Sequence, residues 1–129
     1  MLTLKRVHHV AIICSDYEKS IEFYTKVLGF RIAAEHYRDN RQSYKTDLTL
    51  DGQYVIELFS FPSPPQRVTN PDAAGLRHLA FAVENIDKEL KELDSLGLSY
   101  EQIRTDEYTG KRFTFIQDPD GLPIELYEN

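Results

Sequence analysis

Two histidines and two glutamates recur at matching places in this 129-residue chain. His9 lies in VHHVAII and is followed 48 residues later by Glu57 in YVIELF, whereas His78 lies in LRHLAFAV and is followed 47 residues later by Glu125 in PIELY. Imidazoles and carboxylates together suit a divalent transition metal, and such an ion can polarise a carbonyl oxygen while a carboxylate moves a proton. The four residues therefore predict a metal site with proton-transfer chemistry.

Each of these residues also has an ordinary structural interpretation. A lone strand histidine is more often a satisfied core or surface residue than a ligand, and we place His8 and His36 in that class. A lone strand glutamate most often lies on a solvated face or pairs with Lys or Arg. The repetition of the pair favours a shared role. Because structural zinc sites favour thiolates, we expect a six-coordinate ion with water in its open positions.

The elements that must position these residues are also repeated. VHHVAIICSD matches LRHLAFAVEN, the LGF at residues 28–30 matches the LGL at 96–98, and QYVIELF matches LPIELYE, at offsets of 68 or 69 residues. This register predicts one domain, residues 1–129, with modules at about 4–61 and 75–129. Proline-rich residues 62–74 are interpreted as a linker that acts as a plain spacer, with a substrate lid as the alternative.

Each module is predicted to run strand, helix, hairpin. Ser15 and Glu18 form a capping-box signature for the first helix and Asn85 can cap the second, with Gly29 and Gly97 as the ends. Residues 45–50 and the run to residue 61 flank an Asp-Gly turn, and residues 112–117 and 122–127 flank an Asp-Pro-Asp-Gly turn. Two hairpins are therefore expected.

Composition limits the remaining possibilities. The net charge of -6, with both signs mixed, argues against a nucleic-acid partner. The chain has neither a secretory pattern nor a membrane-spanning apolar run, so we expect no membrane association and a cytoplasmic location. Cys14 is the one cysteine, so no disulfide can form within the chain, and we expect a small buried side chain there.

The segments HHVAIICSD, SIEFYTKVLGF, VIELF, GLRHLAFAVENID and FTFIQDPDGLPIELYE resemble the vicinal oxygen chelate superfamily and, within it, glyoxalase I. The resemblance covers nearly the whole chain. It implies an α+β fold in which two paired βαβββ modules form a curved, open mixed sheet around a metal site. It also implies a homodimer and a divalent ion held by His9, Glu57, His78 and Glu125, with Ni or Zn first and Co, Mn or Fe as alternatives.

The ligand set separates the branches of this superfamily. Extradiol dioxygenases and fosfomycin-resistance enzymes use two histidines and one glutamate, whereas glyoxalase I uses all four ligands; methylmalonyl-CoA epimerase usually has glutamine where Glu57 stands. The resemblance therefore implies a lyase or isomerase that removes a proton next to a carbonyl of a small substrate. Glu125 is the expected base, Glu57 its partner across the metal, and the metal stabilises an enediolate. A small-molecule-binding resistance protein and an Fe-dependent dioxygenase remain as alternatives.

The substrate is left open by two substitutions. Glyoxalase I commonly binds glutathione through an arginine and an asparagine at the positions of Ile13 and Phe61. Losing such anchors removes contacts worth about 1.5–3 kcal/mol for a charged hydrogen bond, so we expect weak glutathione binding. Other candidate substrate contacts, each with a solvated surface as the alternative, are Tyr37, Arg38, Arg41, Tyr44, Lys45, Tyr108, Lys111 and Arg112.

Overall fold

The computed structural model describes residues 1–129, which form two compact units, Met1–Pro65 and Gln66–Asn129. Each unit contains one open four-stranded mixed sheet and helical segments between its first two strands. The predicted α+β class and the repeated βαβββ order are confirmed. No helix has both the length and the apolar character that a bilayer span requires.

In the first unit, the last strand lies beside the first. The elements are β1 (Val10–Cys14), α1 (Tyr17–Glu22) with a π-helical continuation (Phe23–Val27), β2 (Arg31–Arg38), a 3-10 turn (Asp39–Arg41), β3 (Ser43–Leu50) and β4 (Gln53–Ser60). The strand order is β1-β4-β3-β2, with β1 parallel to β4 and the other neighbours antiparallel. The free edge is therefore β2, which carries a bulge between Ile32 and Ala34.

The second unit repeats this plan with a shorter edge. Its elements are β5 (Leu79–Val83), α2 (Ile86–Ser95), β6 (Arg104–Thr105), β7 (Arg112–Gln117) and β8 (Pro123–Glu128). The order is β5-β8-β7-β6, again with the first and last strands parallel. Because a parallel pair needs a long crossover connection, the helix and hairpin lie between its two strands in sequence.

Both predicted hairpins are present, with different turns. Asp51 and Gly52 have φ values of 50° and 76°, and two successive positive φ angles suit a tight turn between twisted antiparallel strands. At the second turn, Asp118 Oδ1 accepts the backbone N–H groups of Asp120 and Leu122, both at 2.9 Å. Each turn fixes the register of the glutamate-bearing strand that follows it.

The helix starts agree only partly with the sequence predictions. Asn85 caps α2, since its side-chain oxygen accepts the N–H of Lys88 at 3.1 Å. The predicted cap at Ser15 is wrong: Asp16 has the extended backbone of a cap, and its carboxylate accepts the N–H of Lys19 at 3.2 Å. A carboxylate here also interacts favourably with the positive end of the helix dipole.

Residues that alternate along the strands divide each sheet into two faces. On one face lie the most buried side chains, including Ile56 and Leu58 of β4 and Ile124 and Leu126 of β8. Cys14 is 1% exposed on this side, as predicted. The intervening residues, Glu57 and Glu125 among them, therefore point to the opposite face, here called the open face.

An ion-pair network holds the start of α2 to the sheet. Glu128 Oε2 accepts the N–H of Ile86 at 2.9 Å and lies 2.8 Å from Arg112 Nη2, which also lies 3.0 Å from Asp87. The Arg112 guanidinium, followed by the Ile86 N–H, holds the pKa of Glu128 below its ordinary value. Arg112, a candidate substrate contact from sequence, is therefore a structural residue.

The cap of α2 can be tested by substitution. Asn85→Ala leaves the N–H of Lys88 without its partner and should lower the free energy of unfolding by about 1 kcal/mol. Asn85→Asp keeps an acceptor at the same place and should change it by less than about 0.5 kcal/mol. Urea unfolding of the three proteins measures both differences, and equal stability of the alanine and native proteins would contradict the capping role.

The Glu128 network predicts a pH dependence of stability. Because the folded-state pKa of Glu128 is lowered from its ordinary value of 4.5, its contribution is fully present above that value and is lost as the pH falls through the folded pKa. The stability difference between the native protein and Glu128→Gln should therefore shrink as the pH is lowered below 4.5. Urea unfolding of both proteins at several pH values above and below 4.5 measures this stability difference. A difference independent of pH would rule out the lowered pKa of Glu128.

Candidate metal centre

The four predicted site residues occupy equivalent places in the two units. His9 and His78 immediately precede β1 and β5, whereas they were expected to lie within these strands. Glu57 and Glu125 lie within β4 and β8, where their side chains are only 15% and 13% exposed. Each unit therefore presents one imidazole and one largely buried carboxylate on its open face.

Parallel strand pairing places each histidine beside its glutamate. Ala11 is the register partner of Glu57, and Ala80 is that of Glu125; each alanine follows its histidine by two residues on the same face. His9 Nε2 lies 3.7 Å from Glu57 Oε1, and His78 Nε2 lies 2.9 Å from Glu125 Oε2. Because alanine is small, the space above each carboxylate is not filled by the neighbouring strand.

The 2.9 Å between His78 and Glu125 fits two adjacent ligands of one ion, whereas His9 and Glu57, at 3.7 Å, are more widely spaced. Nitrogen and oxygen ligands about 2.1 Å from a divalent ion lie roughly 3 Å apart when they are adjacent in its coordination shell. The structure shows no group of three or more His, Cys, Asp or Glu side chains that could hold a metal ion. The four-ligand set of His9, Glu57, His78 and Glu125 stays a prediction.

Glu57 belongs to a polar network that sequence reasoning missed. Lys45 Nζ lies 2.9 Å from Asp47 Oδ1 and 3.1 Å from Glu57 Oε2. The hydroxyl of Tyr54 donates to Asp47 at 2.8 Å and lies 3.2 Å from Glu57 Oε2. Asp47 is the register partner of Glu57 across β3 and β4. Alternation along the predicted hairpin was therefore the signal that could have placed Asp47 and Lys45 on the same face as Glu57. The network occupies the Glu57 oxygen that does not face His9.

The pKa shifts in this network keep its charges in place. The hydrogen bond with Asp47 is the main cause that raises the pKa of Lys45. Burial acts against ionisation of Asp47, but hydrogen bonds from Lys45 and Tyr54 outweigh it and lower the pKa of that carboxyl. Burial and then the hydrogen bond to Asp47 raise the pKa of Tyr54. At neutral pH, Glu57 thus has an ammonium group and a neutral hydroxyl as neighbours.

The equivalent positions around Glu125 are aromatic. Phe115 is the register partner of Glu125, as Asp47 is of Glu57, and Phe113 stands opposite Tyr127 on the same pair of strands. The ring of Phe115 lies 5.2 Å from that of His78, edge to face. Within the second unit, Glu125 therefore has an imidazole and aromatic surface as neighbours and no Lys or Arg paired with it.

The other candidate residues divide by their surroundings. Ile13 is 54% exposed, and Phe61 stacks on Phe59 with ring centroids 5.9 Å apart, so neither supplies a polar anchor. Tyr44 stacks on Tyr17 of α1 at 4.0 Å, which is a structural contact. Arg38 and Lys45 lie on the open face of the first unit, whereas the solvent-exposed candidates are Tyr37, Arg41, Tyr108 and Lys111.

Comparisons with known proteins agree with the resemblance in the sequence. Residues 6–126 match the family model described as "Glyoxalase/Bleomycin resistance protein/Dioxygenase superfamily". "Uncharacterized protein YwkD" of Bacillus subtilis (strain 168) is 63% identical over 98% of this chain and 99% of its own. The crystal structure of the glyoxalase family protein from Enterococcus faecalis is 44% identical, with a TM-score of 0.89 over 96% of this chain and 98% of that chain.

A more distant relative carries the name of an enzyme. The lactoylglutathione lyase of Escherichia coli O157:H7 is 28% identical over 95% of this chain and 92% of its own. The family match spans nearly the whole chain, and the similar proteins are matched over nearly their whole lengths. The chain therefore belongs to the glyoxalase/bleomycin resistance protein/dioxygenase superfamily.

Proposed function

We propose that this protein is a metal-dependent lyase or isomerase of the glyoxalase I type, which removes a proton from the carbon next to a carbonyl group of a small substrate. The observation that carries the proposal is the duplicated His–Glu pair, with the two members 3.7 Å and 2.9 Å apart on the open faces. The likeness to a lactoylglutathione lyase supports the same chemistry. The homodimer and the cytoplasmic location stay predictions from sequence.

His9, Glu57, His78 and Glu125 are the proposed ligands. Two imidazoles and two carboxylates favour Ni or Zn, and Co, Mn or Fe are the alternatives. The bound ion would supply positive charge to the carbonyl oxygen, which makes the adjacent C–H bond more acidic. The protein would then need one carboxylate that accepts the proton and one that keeps its charge.

The neighbours of the two glutamates support different roles for them. Lys45 and Tyr54 both contact Glu57 Oε2, so this carboxylate already has an ammonium group and a hydrogen-bond donor as partners. Glu57 is thus suited to hold the ion as a fixed charge. Glu125 has the aromatic ring of Phe115 where Glu57 has Asp47, and apart from His78 no basic side chain of its unit contacts it. We therefore assign proton transfer to Glu125.

The substrate is proposed to be a small carbonyl compound that need not carry glutathione. Ile13, which is 54% exposed, and Phe61, which stacks on Phe59, stand where glyoxalase I commonly has polar anchors. Phe59, Phe113 and Phe115 add further aromatic surface on the open faces. The aromatic surface alone would also suit a small-molecule-binding resistance protein, so metal content and turnover must be measured together.

The role of Glu125 can be tested by an isosteric change. Glu125→Gln removes the proposed proton acceptor and should lower kcat at least about 100-fold with little change in Tm. Activity is assayed on a panel of small 2-oxo aldehydes and hydroxyketones, including methylglyoxal with and without glutathione. Glu107→Gln, a change at an exposed residue far from the pair in sequence, is the matched control. Full activity in Glu125→Gln would refute the assigned role.

The metal site can be tested without an activity assay. Protein purified without chelators should contain about one divalent transition-metal ion per chain, and His9→Ala or His78→Ala should each lose most of it. His36→Ala is the matched control, because His36 is exposed on β2, and it should keep the ion. If native protein never carries stoichiometric metal, the catalytic proposal fails and a ligand-binding role is favoured.

A further inference from the structure

Arg38 occupies an unusual position at the end of β2. Its guanidinium carbon lies 5.0 Å from the ring centroid of Phe59 and 5.9 Å from that of Phe61, and its Nη2 donates to the hydroxyl of Ser43 at 2.8 Å. Ser43 is fully buried and Arg38 is half-buried. The stacked rings and the single hydroxyl contact hold the guanidinium in a fixed orientation on the open face.

The charge of Arg38 is not balanced by the protein. No carboxylate forms an ion pair with it, and its Nε is buried without a hydrogen-bond partner. Arg112, in contrast, directs both Nε and Nη2 at Glu128. Buried donors of a charged group are nearly always paired in folded proteins, so an oriented but incompletely paired guanidinium is suited to an external anion.

The second unit contains a matched arginine that differs in this respect. The guanidinium of Arg104 lies 5.0 Å from the centroid of Phe113 and 5.6 Å from that of Phe115, as Arg38 lies over its own pair of rings. Arg104, however, forms an ion pair with Glu101 at 3.0 Å. Stacking on two phenylalanines is therefore common to both arginines, whereas only Arg38 of the two lacks a carboxylate partner.

Arg38 also shares its sheet face with a proposed metal ligand. Phe59 follows Glu57 by two residues on β4, so the aromatic platform of Arg38 begins about 7 Å along the strand from the carboxylate. The other cation near Glu57, Lys45, is already paired with Asp47 and Glu57. Arg38 is thus a cation on this face that has no carboxylate partner.

We propose that Arg38 binds a carboxylate or phosphate group of the substrate. The inference rests on the proposed function and narrows its substrate class to carbonyl compounds that carry an anionic oxygen group. Guanidinium presents N–H donors in a planar fork that matches two oxygens of such a group, and the rings beneath it exclude water from one side. The chain as a whole has a net charge of -6, so anion binding here depends on this local group.

Anion binding can be tested independently of metal and turnover. The Nε–Hε resonances of Arg38 and Arg104 are followed by NMR in the full-length protein during titrations with inorganic phosphate and, separately, acetate. The Arg38 resonance should shift and reach saturation with at least one of the two anions. The anion that saturates at the lower concentration identifies whether phosphate or carboxylate is preferred. The Arg104 resonance should move little, because its guanidinium already has Glu101. An unmoved Arg38 resonance, or equal shifts of both, would overturn the proposal.

Substitutions extend the test to the reaction. Arg38→Gln should lower kcat/KM about 10- to 100-fold for carbonyl substrates that carry the anionic group, with little change for neutral ones such as methylglyoxal. Arg104→Gln is the matched control and should change neither by more than about twofold. Arg38→Lys keeps the positive charge but lacks the planar guanidinium, so its loss of kcat/KM should lie between those of the native protein and Arg38→Gln. An intermediate value would show that the loss in Arg38→Gln does not come from misfolding.

The outcomes separate the two proposals. An equal loss for anionic and neutral substrates in Arg38→Gln would mean that Arg38 only packs β2 against β4. A saturable NMR shift in a protein that turns over no carbonyl substrate would support the anion site and contradict the proposed reaction. Normal turnover with no anion response at Arg38 would support the proposed reaction and contradict the anion site.

Discussion

Parallel pairing between the first and last strands of each unit is the constraint on which the candidate site depends. It sets Ala11 beside Glu57 and Ala80 beside Glu125, and so brings the histidine two residues before each alanine within reach of the carboxylate. Such a pair cannot be closed by a short turn, so the intervening helix and hairpin are a requirement of the pairing. A largely buried carboxylate is costly unless it has a partner, and each unit supplies one from the strand next to it.

The repeated pairs differ because their outer neighbours differ. The strand on the far side of Glu57 offers Asp47 and Lys45, whereas the strand on the far side of Glu125 offers Phe115 and Phe113. Glu57 therefore contacts an ammonium group, whereas Glu125 lies opposite an aromatic residue. The duplicated backbone places its two glutamates in chemically different surroundings, and the proposed division of roles between them rests on that difference.

Much of the fold followed from the repeat in the sequence, and the departures have physical reasons. Matching segments 68 or 69 residues apart predicted the strand, helix and hairpin order, and the Asp51-Gly52 turn signal predicted its hairpin correctly. The cap was misplaced at Ser15 because both it and Asp16 can cap, and only the backbone geometry selects between them. The network of Lys45, Asp47 and Tyr54 was missed because it depends on cross-strand register and rotamers. Similarly, the sequence cannot reveal that Arg104 has a carboxylate partner and Arg38 has none.

The proposal that both His–Glu pairs bind one ion is tested most directly by identifying the ligands around that ion. X-ray absorption spectra of the full-length protein loaded with one equivalent of Ni count the imidazoles by their outer-shell scattering. The native protein should show two imidazoles among light nitrogen and oxygen ligands, and His9→Ala and His78→Ala should each show one. Two imidazoles retained in either variant, or a single imidazole in the native protein, would contradict the claim.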